Sequence, residues 1–551
     1  MTSACARASA NRGDASPVFP SGAPTRTSRP FTRNPLLLYS PTAPPTAYDR
    51  AVAVTETTPP ADEQALPEAV RRRLTPLIPR DPISWVWTAA VALVAAVLRL
   101  VGLTTPRGKI FDEVYYATDA HSLLEHGFEW DDKNNSPAFV VHPPLGKWCI
   151  AIGEKLFGDD EFGWRIASVV AGVAAVVVIT RLARRMFGST VLGCAAGLLM
   201  TLDGFQFVLA RTALLDIFLL TFVVASFACL VADRDQRRAR WVAALEAGRK
   251  RPAFQIAWWR IGSAVLLGCA LATKWSAVWF AVAFVIMIVC WEVSARRSGG
   301  EKQPLVEGLL SGIAWAATYT VVTMTVYVAS WTGWLSSDNA YDRHWMASQG
   351  KSESDWPFVG ALYNLYQYHR AALDFHTGLE ASHPYQSWPM QWLLLSRPVA
   401  FHYSGDPGCG AAQCSSEVLL LGTPLLWWSF VPALLGVIYL GISRRDWRAW
   451  PIVAGGLLGI VPWLFFGNRT MFYFYAAPSE PFLILAVTFV LGAIVGSGAA
   501  TATRRTVGAI VAGGYVGLVA ICFAYFYPIY TGRLITYASW WARMWLGNHW
   551  V

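Results

Sequence analysis

Residues 213–232 read ALLDIFLLTFVVASFACLVA, a run of 20 residues that contains a single charged side chain, Asp216. At about 1.5 Å of rise per residue, such a run forms a helix of ~30 Å, which matches the hydrocarbon core of a membrane. Ten further apolar runs lie at about 83–102, 164–182, 190–209, 256–273, 275–294, 308–331, 418–442, 450–466, 478–497 and 506–527. The sequence therefore predicts an all-α polytopic membrane protein with about 11 transmembrane helices.

The composition of the chain is that of a membrane protein. Its 551 residues are 54% hydrophobic and only 15% charged, and the mean hydropathy is +0.36. These values exclude an ordinary soluble enzyme, a nucleic-acid-binding protein and an outer-membrane barrel. The formal net charge of +9 does not by itself indicate an anionic partner, because Lys and Arg also orient membrane helices.

Basic residues determine the expected orientation of these helices. Eighteen Lys and Arg lie in five short connections, 181–185, 234–251, 296–302, 444–448 and 504–505, which the positive-inside rule assigns to the cytoplasm. The N-terminus is then cytoplasmic and, with an odd number of spans, the C-terminus is outside. All nine His fall in the predicted outer segments, so we expect a plasma-membrane protein with an extracytoplasmic active site.

The rest of the sequence divides into a tail, two helical modules and two large loops. Residues 1–80 are rich in Pro, Ala, Ser and Thr and should form a disordered cytoplasmic tail without a cleaved signal. The expected transmembrane modules are residues 81–331 and 418–551, the latter with an outer tail. The first loop (103–163) and the second loop (332–417) are rich in aromatic residues, His and carboxylates, which indicates ordered, functional loops with amphipathic helices.

Acidic and aromatic residues open the first loop, in KIFDEVYYATDAHSLLEHG at 109–127. Asp112 and Glu113 are adjacent, so on a helix their side chains diverge by about 100° and should have separate roles. Asp112, Tyr116 and Asp119 would share one face of an amphipathic helix at the membrane surface. A solvated acidic loop is the alternative interpretation.

The end of the same loop reads VHPPLGKW at 141–148. Two prolines stiffen this segment, so His142 and Lys147 would be carried on a rigid turn that returns to the membrane. A cation held there could meet a phosphate at the level of the lipid headgroups. A simple turn into the next helix is the alternative.

Cys409 and Cys414 lie in GDPGCGAAQCSS of the second loop, with four residues between them. An oxidising compartment would join them in a disulfide, and two free thiols are the alternative. The nine cysteines show neither zinc spacing nor a CxxC pair. The nearest carboxylate pair to a metal motif, Asp131 and Asp132, is equally well explained as a solvated turn, so no metal site is predicted and metal dependence stays open.

Seven motifs occur in order along the chain. They are FDEVYYATDAHSLLEHG (111–127), HPPLGKW (142–148), GWRIASVVAG (163–172), ARTALLDIFLLTF (210–222), LATKWSA (271–277), HPYQSWPMQWLLLSRPVAFHY (383–403) and NRTMFYFYAAPSEPF (468–482). Together they resemble the protein O-mannosyltransferases, a family of GT-C membrane glycosyltransferases. The resemblance extends from about residue 83 to the C-terminus, and the long tail without an inserted β-trefoil domain is similar to the actinobacterial branch.

The resemblance implies a GT-C fold and a reaction. The enzyme would transfer mannose from a polyprenyl-phosphate-mannose to a Ser or Thr hydroxyl of an exported protein, by an inverting single displacement. Asp112 would be the catalytic base, and Glu113 a positioning or structural partner. The candidates for binding the donor phosphate are Lys147, Arg165, Arg211, Lys274 and Arg469.

Two or three of these five cations should contact phosphate, since Arg and Lys at helix ends are often only membrane anchors. Arg469 and Arg165 are the stronger candidates, and Arg211 could instead pair with Asp216. The candidates for binding the sugar or the acceptor are Tyr116, His142, His383, Trp388 and Arg397.

Two other function classes are consistent with part of the pattern. One is a GT-C transferase that moves another lipid-linked sugar to a lipid or glycan, as aminoarabinose and arabinan transferases do. The other is a transporter, which the scarcity of intramembrane carboxylates and the lack of a half-to-half repeat disfavour. The expected partners are the lipid donor, exported protein acceptors and the bilayer, with the secretion translocon as a further candidate and no nucleic acid; no cofactor is predicted.

Overall fold

The computed structural model describes residues 66–76, 81–353, 357–496 and 498–551. In chain order its helices are α1 (Glu68–Leu74), α2 (Ser84–Leu100), α3 (Glu113–His126), α4 (Leu145–Phe157), α5 (Glu161–Phe187), α6 (Thr190–Thr201), α7 (Gly204–Leu209), α8 (Leu215–Glu246), α9 (Trp258–Leu271), α10 (Val278–Ser298), α11 (Pro304–Ser330), α12 (Thr332–Ser336), α13 (Trp345–Ser348), α14 (Pro357–Thr377), α15 (Pro389–Trp392), α16 (Pro424–Arg444), α17 (Ala449–Leu458), α18 (Glu480–Val495), α19 (Ala502–Tyr530) and α20 (Tyr537–Trp541). The strands are β1 (Trp130–Asp131), β2 (Ser136–Pro137), β3 (Val399–Ser404), β4 (Cys414–Leu420) and β5 (Ile535–Thr536).

Apolar helices occupy every predicted span. Among the described residues, α5, α8, α10, α11, α16, α19, and α18 together with the 3₁₀ turn Tyr473–Ser479 before it, are long and apolar enough to cross a membrane. The helices α2, α6, α9 and α17 are shorter and apolar. Each of the eleven predicted runs overlaps one of these helices. A polytopic, mostly helical membrane protein is thus confirmed, while the number of actual crossings stays a prediction.

The helices differ in how much of their surface the protein covers. In α8, 78% of the most apolar window is buried, against 17% in α11 and in α19. α8 packs against α5, α9 and α10 and is the centre of the bundle. Because α11 and α19 expose large apolar side chains such as Leu310 and Ile521, those faces are suited to contact lipid.

The two predicted transmembrane modules share one hydrophobic core. α18, from the C-terminal module, packs against α5, α6 and α8 of the N-terminal module as well as against α16, α17 and α19. A catalytic surface at one end of the bundle can therefore draw side chains from both modules.

The predicted span at 190–209 is interrupted where α6 ends and α7 begins. Thr423 compensates for the break: its hydroxyl donates to the Leu202 carbonyl at 2.8 Å and accepts from the Gly204 N–H at 3.0 Å. The Asp203 carboxylate accepts in turn from the Thr423 N–H and from the indole of Trp427. Backbone groups freed at the break are thus satisfied inside the apolar core, as they must be in a membrane.

Small antiparallel sheets are the exception to the all-α prediction. β1 pairs with β2, and a second sheet has the order β3-β4-β5, with an irregularity between Ala400 and His402. The apolar run expected to begin a span at 418 is the end of β4, and α16 begins only at Pro424. Leu419 and Leu420 are fully buried because this strand lies inside the fold. The start of that predicted span is therefore wrong.

The boundary of the predicted tail also needs correction. Most of residues 1–80 lies outside the described residues, but α1 falls within this range. Its Leu74 is fully buried in a cluster with Trp241 and Ala295, so a short helix docks where disorder was expected.

Candidate active site

The two large loops meet and form one surface. α14 of the second loop lies against residues 140–142 of the first, where the Tyr368 hydroxyl accepts from the Val140 N–H at 3.0 Å and donates to its carbonyl at 2.8 Å. His376, near the end of the same helix, is 3.0 Å from the Val141 carbonyl. These contacts join the first loop, which contains α3, to side chains of the second.

Glu113 is a buried structural anchor at the start of α3. Its carboxylate accepts from the Arg165 guanidinium at 2.9 and 2.8 Å and from the N–H groups of Ile110 and Ala213 at 3.0 and 2.9 Å. Glu113 is fully buried, and Phe111 nearby has a positive φ of 48°. The anchor ties the first loop to the turn before α8 and holds the backbone around Asp112 in a constrained conformation.

Asp112, in contrast, has an uncommitted carboxylate. It precedes α3 without capping it, and it makes no side-chain hydrogen bond to any residue that the structure describes. Burial raises the pKa of Asp112 to about 6, with Lys274 lowering it and Asp216 raising it further. A carboxylate with this pKa is ionised at neutral pH and still more basic than an ordinary Asp, which suits a general base. The two adjacent acids therefore lie in different environments, and their separate roles stay a prediction.

Lys274 is the cation that lowers the pKa of Asp112. Its Nζ donates to Asp216 Oδ2 at 2.7 Å and lies 6.0 and 5.5 Å from the ring centres of Tyr116 and Phe474. Lys274 is 6% exposed and follows α9, whereas Asp216 is at the start of α8. The alternative pairing of Arg211 with Asp216 is wrong, because the Asp216 carboxylate is paired with Lys274.

Histidines from both loops line the same region. The ring of His142 lies 6.1 Å from Tyr116 and 5.3 Å from His376. Burial, reinforced by Arg469, lowers the pKa of His376 to about 4, and burial lowers that of His142 well below its ordinary value. Both imidazoles are thus neutral and can offer hydrogen bonds without adding charge.

Unlike Lys147, Arg165 and Lys274, Arg469 has no carboxylate partner among the described residues. Its Nη2 is 3.3 Å from His376 Nδ1 and 3.4 Å from the Tyr475 hydroxyl, and its guanidinium lies over the rings of Trp463 and Tyr475 at 5.4 and 5.7 Å. Its Nε is buried without a hydrogen-bond partner in the described structure. A guanidinium with unused donors and no counter-charge is suited to bind phosphate.

Lys147 is already neutralised by carboxylates. Its Nζ donates to Glu129 and is 3.6 Å from Asp119, and the side chain is 1% exposed. α4 begins at Leu145, so HPPLG is a turn into a helix, the alternative interpretation of that motif. A Cβ at Gly146 would come within 2.7 Å of Leu215, which shows how closely this turn approaches α8. Lys147 is therefore removed from the phosphate-binding candidates.

Arg165 and Arg211 also serve the fold. All five N–H donors of Arg165 are used, two on Glu113 and the others on the carbonyls of Leu103, Pro106 and Gly108 at 2.9–3.1 Å. Arg211 donates to the carbonyls of residues 99, 101 and 102 at the end of α2, at 2.6–2.8 Å. Neither geometry offers a free fork to phosphate, so both predictions are corrected, including the one that ranked Arg165 with Arg469.

The candidates from the second loop, Arg397, His383 and Trp388, differ in whether their side chains are already used by the fold. Arg397 donates to the carbonyls of Pro384, His549 and Val551, so it holds backbone segments together and is corrected from a binding to a structural role. His383 and Trp388 lie in a segment that is hydrogen-bonded to the segment of Arg469, since the Ser387 N–H donates to the Met471 carbonyl at 2.9 Å. Trp388 is 49% exposed and remains available to a ligand.

Cys409 and Cys414 are joined by a disulfide, as expected from their spacing. The bridge closes the turn between β3 and β4. It belongs to the sheet that packs through Phe401 onto Phe111, with ring centres 4.5 Å apart. Its role is therefore to stabilise the sheet on which the constrained residue Phe111 rests.

The structure thus assembles a base, two cations and two neutral histidines from distant parts of the chain: Asp112, Lys274, Arg469, His142 and His376. His376 was missed as a site residue, since it appeared only as one of nine outer histidines. No local motif marks it, and its contacts are 93 and 235 residues away in sequence. Such a set can take a proton from a hydroxyl and stabilise a departing anion.

Comparison with known proteins gives the family. A model described as "Dolichyl-phosphate-mannose-protein mannosyltransferase" matches residues 89–332, and one described as "C-terminal four TMM region of protein-O-mannosyltransferase" matches residues 361–550. The chain is 39% identical over 480 residues to a protein of Mycolicibacterium smegmatis (strain MKD8) named polyprenol-phosphate-mannose–protein mannosyltransferase, covering 84% of this chain and 92% of that protein. A protein of the same name from Mycobacterium tuberculosis (strain ATCC 25618 / H37Rv) is 39% identical over 509 residues, 88% of this chain and 96% of the relative.

A solved structure shows the fold. The S. cerevisiae protein O-mannosyltransferase Pmt1-Pmt2 complex bound to the sugar donor has a chain that superposes with a TM-score of 0.66 at 14% identity, covering 87% of this chain and 94% of that one. The GT-C fold implied by the sequence motifs is thereby confirmed. The chain belongs to the protein O-mannosyltransferase family and is a membrane-embedded glycosyltransferase.

Proposed function

We propose that this protein transfers mannose from polyprenyl-phosphate-mannose to Ser or Thr hydroxyls of exported proteins, at the outer face of the plasma membrane. The observation that carries the proposal is the contrast between Asp112, a carboxylate without a hydrogen-bond partner in the described structure, and Arg469, a cation there without a carboxylate partner. The relatives named above act on a polyprenol-phosphate-mannose and on protein, which supports the donor and the acceptor class.

In the proposed reaction Asp112 takes the proton of the acceptor hydroxyl. The hydroxyl oxygen then attacks the anomeric carbon, and the bond between that carbon and the phosphate oxygen breaks, so the configuration inverts. A base with a pKa of about 6 suits this step, because it is ionised at neutral pH and accepts a proton more readily than an ordinary carboxylate.

The departing lipid phosphate is stabilised by Arg469, with Lys274 contributing part of its charge. Lys274 Nζ donates to Asp216 Oδ2 at 2.7 Å, which reduces the positive potential that Lys274 produces at the phosphate. Arg469, in contrast, is neutralised by no carboxylate in the described residues. The neutral imidazoles of His142 and His376 complete the lining, with Tyr116 beside His142, and are suited to bind sugar hydroxyls. His383 and Trp388 are proposed to bind the acceptor peptide.

The test is transfer by the purified, full-length protein. Polyprenyl-phosphate-mannose and a Thr-rich peptide should yield peptide with one added hexose, measured by mass spectrometry. Asp112→Asn should transfer mannose roughly 10²–10⁴ times more slowly, while Asp132→Asn, an exposed Asp of the same loop, is the matched control and should be active. A second arm offers another lipid-linked sugar and a lipid or glycan acceptor. Product in that arm alone would replace the proposed function by the other GT-C activity.

A further inference from the structure

Three side chains of the first loop gather away from the candidate active site. They are His121 on α3, Glu154 on α4 and Asp159 in the connection to α5. Each offers a nitrogen or oxygen atom that could bind a metal ion, and these atoms all lie within 4.8 Å of one another. Neither the sequence motifs nor the proposed reaction gives this group a role.

Glu154 is the unusual member. It is 4% exposed, and both of its carboxylate oxygens are buried without a hydrogen-bond partner in the described structure. The Nδ1 atom of His121 is equally buried and unpartnered, and it lies 3.9 Å from Glu154 Oε2. Buried polar atoms are nearly always satisfied, so a carboxylate and an imidazole nitrogen aimed at one point indicate a bound cation or a proton on Glu154.

The surroundings favour the cation. His121 Nε2 is 3.4 Å from Glu125 Oε1, so a carboxylate lies beside this ring nitrogen, while Nδ1 lies 3.9 Å from Glu154. Metal-binding histidines are usually oriented in this way. One competing cation is present, since Lys109 Nζ is 4.0 Å from Asp159, but this distance is too long for a hydrogen bond.

We propose that His121, Glu154 and Asp159 bind one divalent transition-metal ion of the zinc type. One imidazole and two carboxylates are ligands that suit such an ion, and the partial exposure of His121 and Asp159 leaves a coordination position for water. His121 is nine residues beyond Asp112 along α3, about 14 Å of helix, so the ion does not contact the reacting atoms. It joins α3 to α4 and to the start of α5, and so stabilises the helix that carries the base.

The test measures metal binding, which does not depend on the transfer reaction. Full-length protein without a His tag is freed of metal with a chelator and titrated with Zn²⁺ by calorimetry, and its melting temperature is recorded with and without Zn²⁺. One Zn²⁺ per chain should bind and raise the melting temperature. Glu125→Gln should weaken binding by about 10–100-fold, as expected for a residue that orients a ligand.

His121→Ala and Glu154→Gln should each abolish the Zn²⁺-dependent rise, while His126→Ala, on the same helix, is the control and should retain it. Glu154→Gln resembles a protonated Glu154 in shape and charge, so it should stay folded in the absence of metal. Unchanged stoichiometry in both ligand variants, or no Zn²⁺ binding by the unmodified protein, would show that Glu154 is instead held neutral by a proton.

Discussion

Glu113→Gln should destabilise the protein, whereas the neighbouring change Asp112→Asn should remove activity and leave stability intact. Glu113 receives four hydrogen bonds, two of them from Arg165, and both side chains are at most 1% exposed. Gln has one acceptor oxygen, so its NH₂ group would face at least one N–H donor, and the Arg165 charge would lose its counter-ion. Breaking a buried ion pair in this way costs about 3–5 kcal/mol.

That loss is a large part of the ~5–15 kcal/mol that stabilises a typical folded protein. The assay is thermal unfolding of the purified protein in detergent, followed by Trp fluorescence, together with the transfer rate of the fraction that remains folded. Glu380→Gln, an exposed Glu of the second loop, is the matched control and should melt like the unmodified protein. If Glu113→Gln melted normally but lost all transfer, the structural assignment would be refuted and Glu113 would belong among the groups that contact substrate.

Three further predictions follow from the site. Asp112→Asn should lower the transfer rate by roughly 10²–10⁴, the usual contribution of a general base, and near-normal transfer would exclude Asp112 from that role. The rate should fall with a midpoint near pH 6, the pKa of Asp112, as the pH is lowered. Lys274→Gln should move this midpoint to higher pH, because Lys274 lowers that pKa. An unmoved midpoint would assign the titration to another group. Arg469→Ala should reduce turnover by about 10²–10³ and Arg469→Lys should recover only part of it, whereas full recovery with Lys would indicate a membrane anchor.

Hydropathy located every apolar helix because it is a local property of about 20 consecutive residues. It failed where a non-local contact decides the structure. The break before Gly204 is stabilised by Thr423, more than 200 residues away in sequence. The apolar end of β4 is buried by strand pairing and packing within the fold. Neither contact produces a hydrophobic periodicity that can be recognised in the sequence. The disulfide was accessible from sequence, since Cys409 and Cys414 are close together in the chain.

Prediction from local sequence also fails for the cations of the candidate site, for the same reason. Position and neighbours in the sequence made Arg165 and Arg469 look alike, yet one is saturated by Glu113 and three carbonyls and the other has no carboxylate partner in the described structure. What separates them is the location of the counter-charge. For Arg165 that carboxylate is 52 residues away, and for Lys274 it is 58 residues away. A motif can show that a cation is near a site, but only the fold shows whether its charge is still available.

The charge available at the site agrees with the proposed reaction. With Asp112 and Asp216 ionised, their two negative charges balance Lys274 and Arg469. In the proposed transfer, a phosphodiester with one negative charge becomes a phosphate monoester with about −1.5 to −2, so the lipid gains negative charge. At the same time Asp112 is neutralised by the acceptor proton, which leaves the protein side with one more positive charge. Proton removal and phosphate departure therefore stabilise each other electrostatically, and a single carboxylate beside two cations is sufficient to link them.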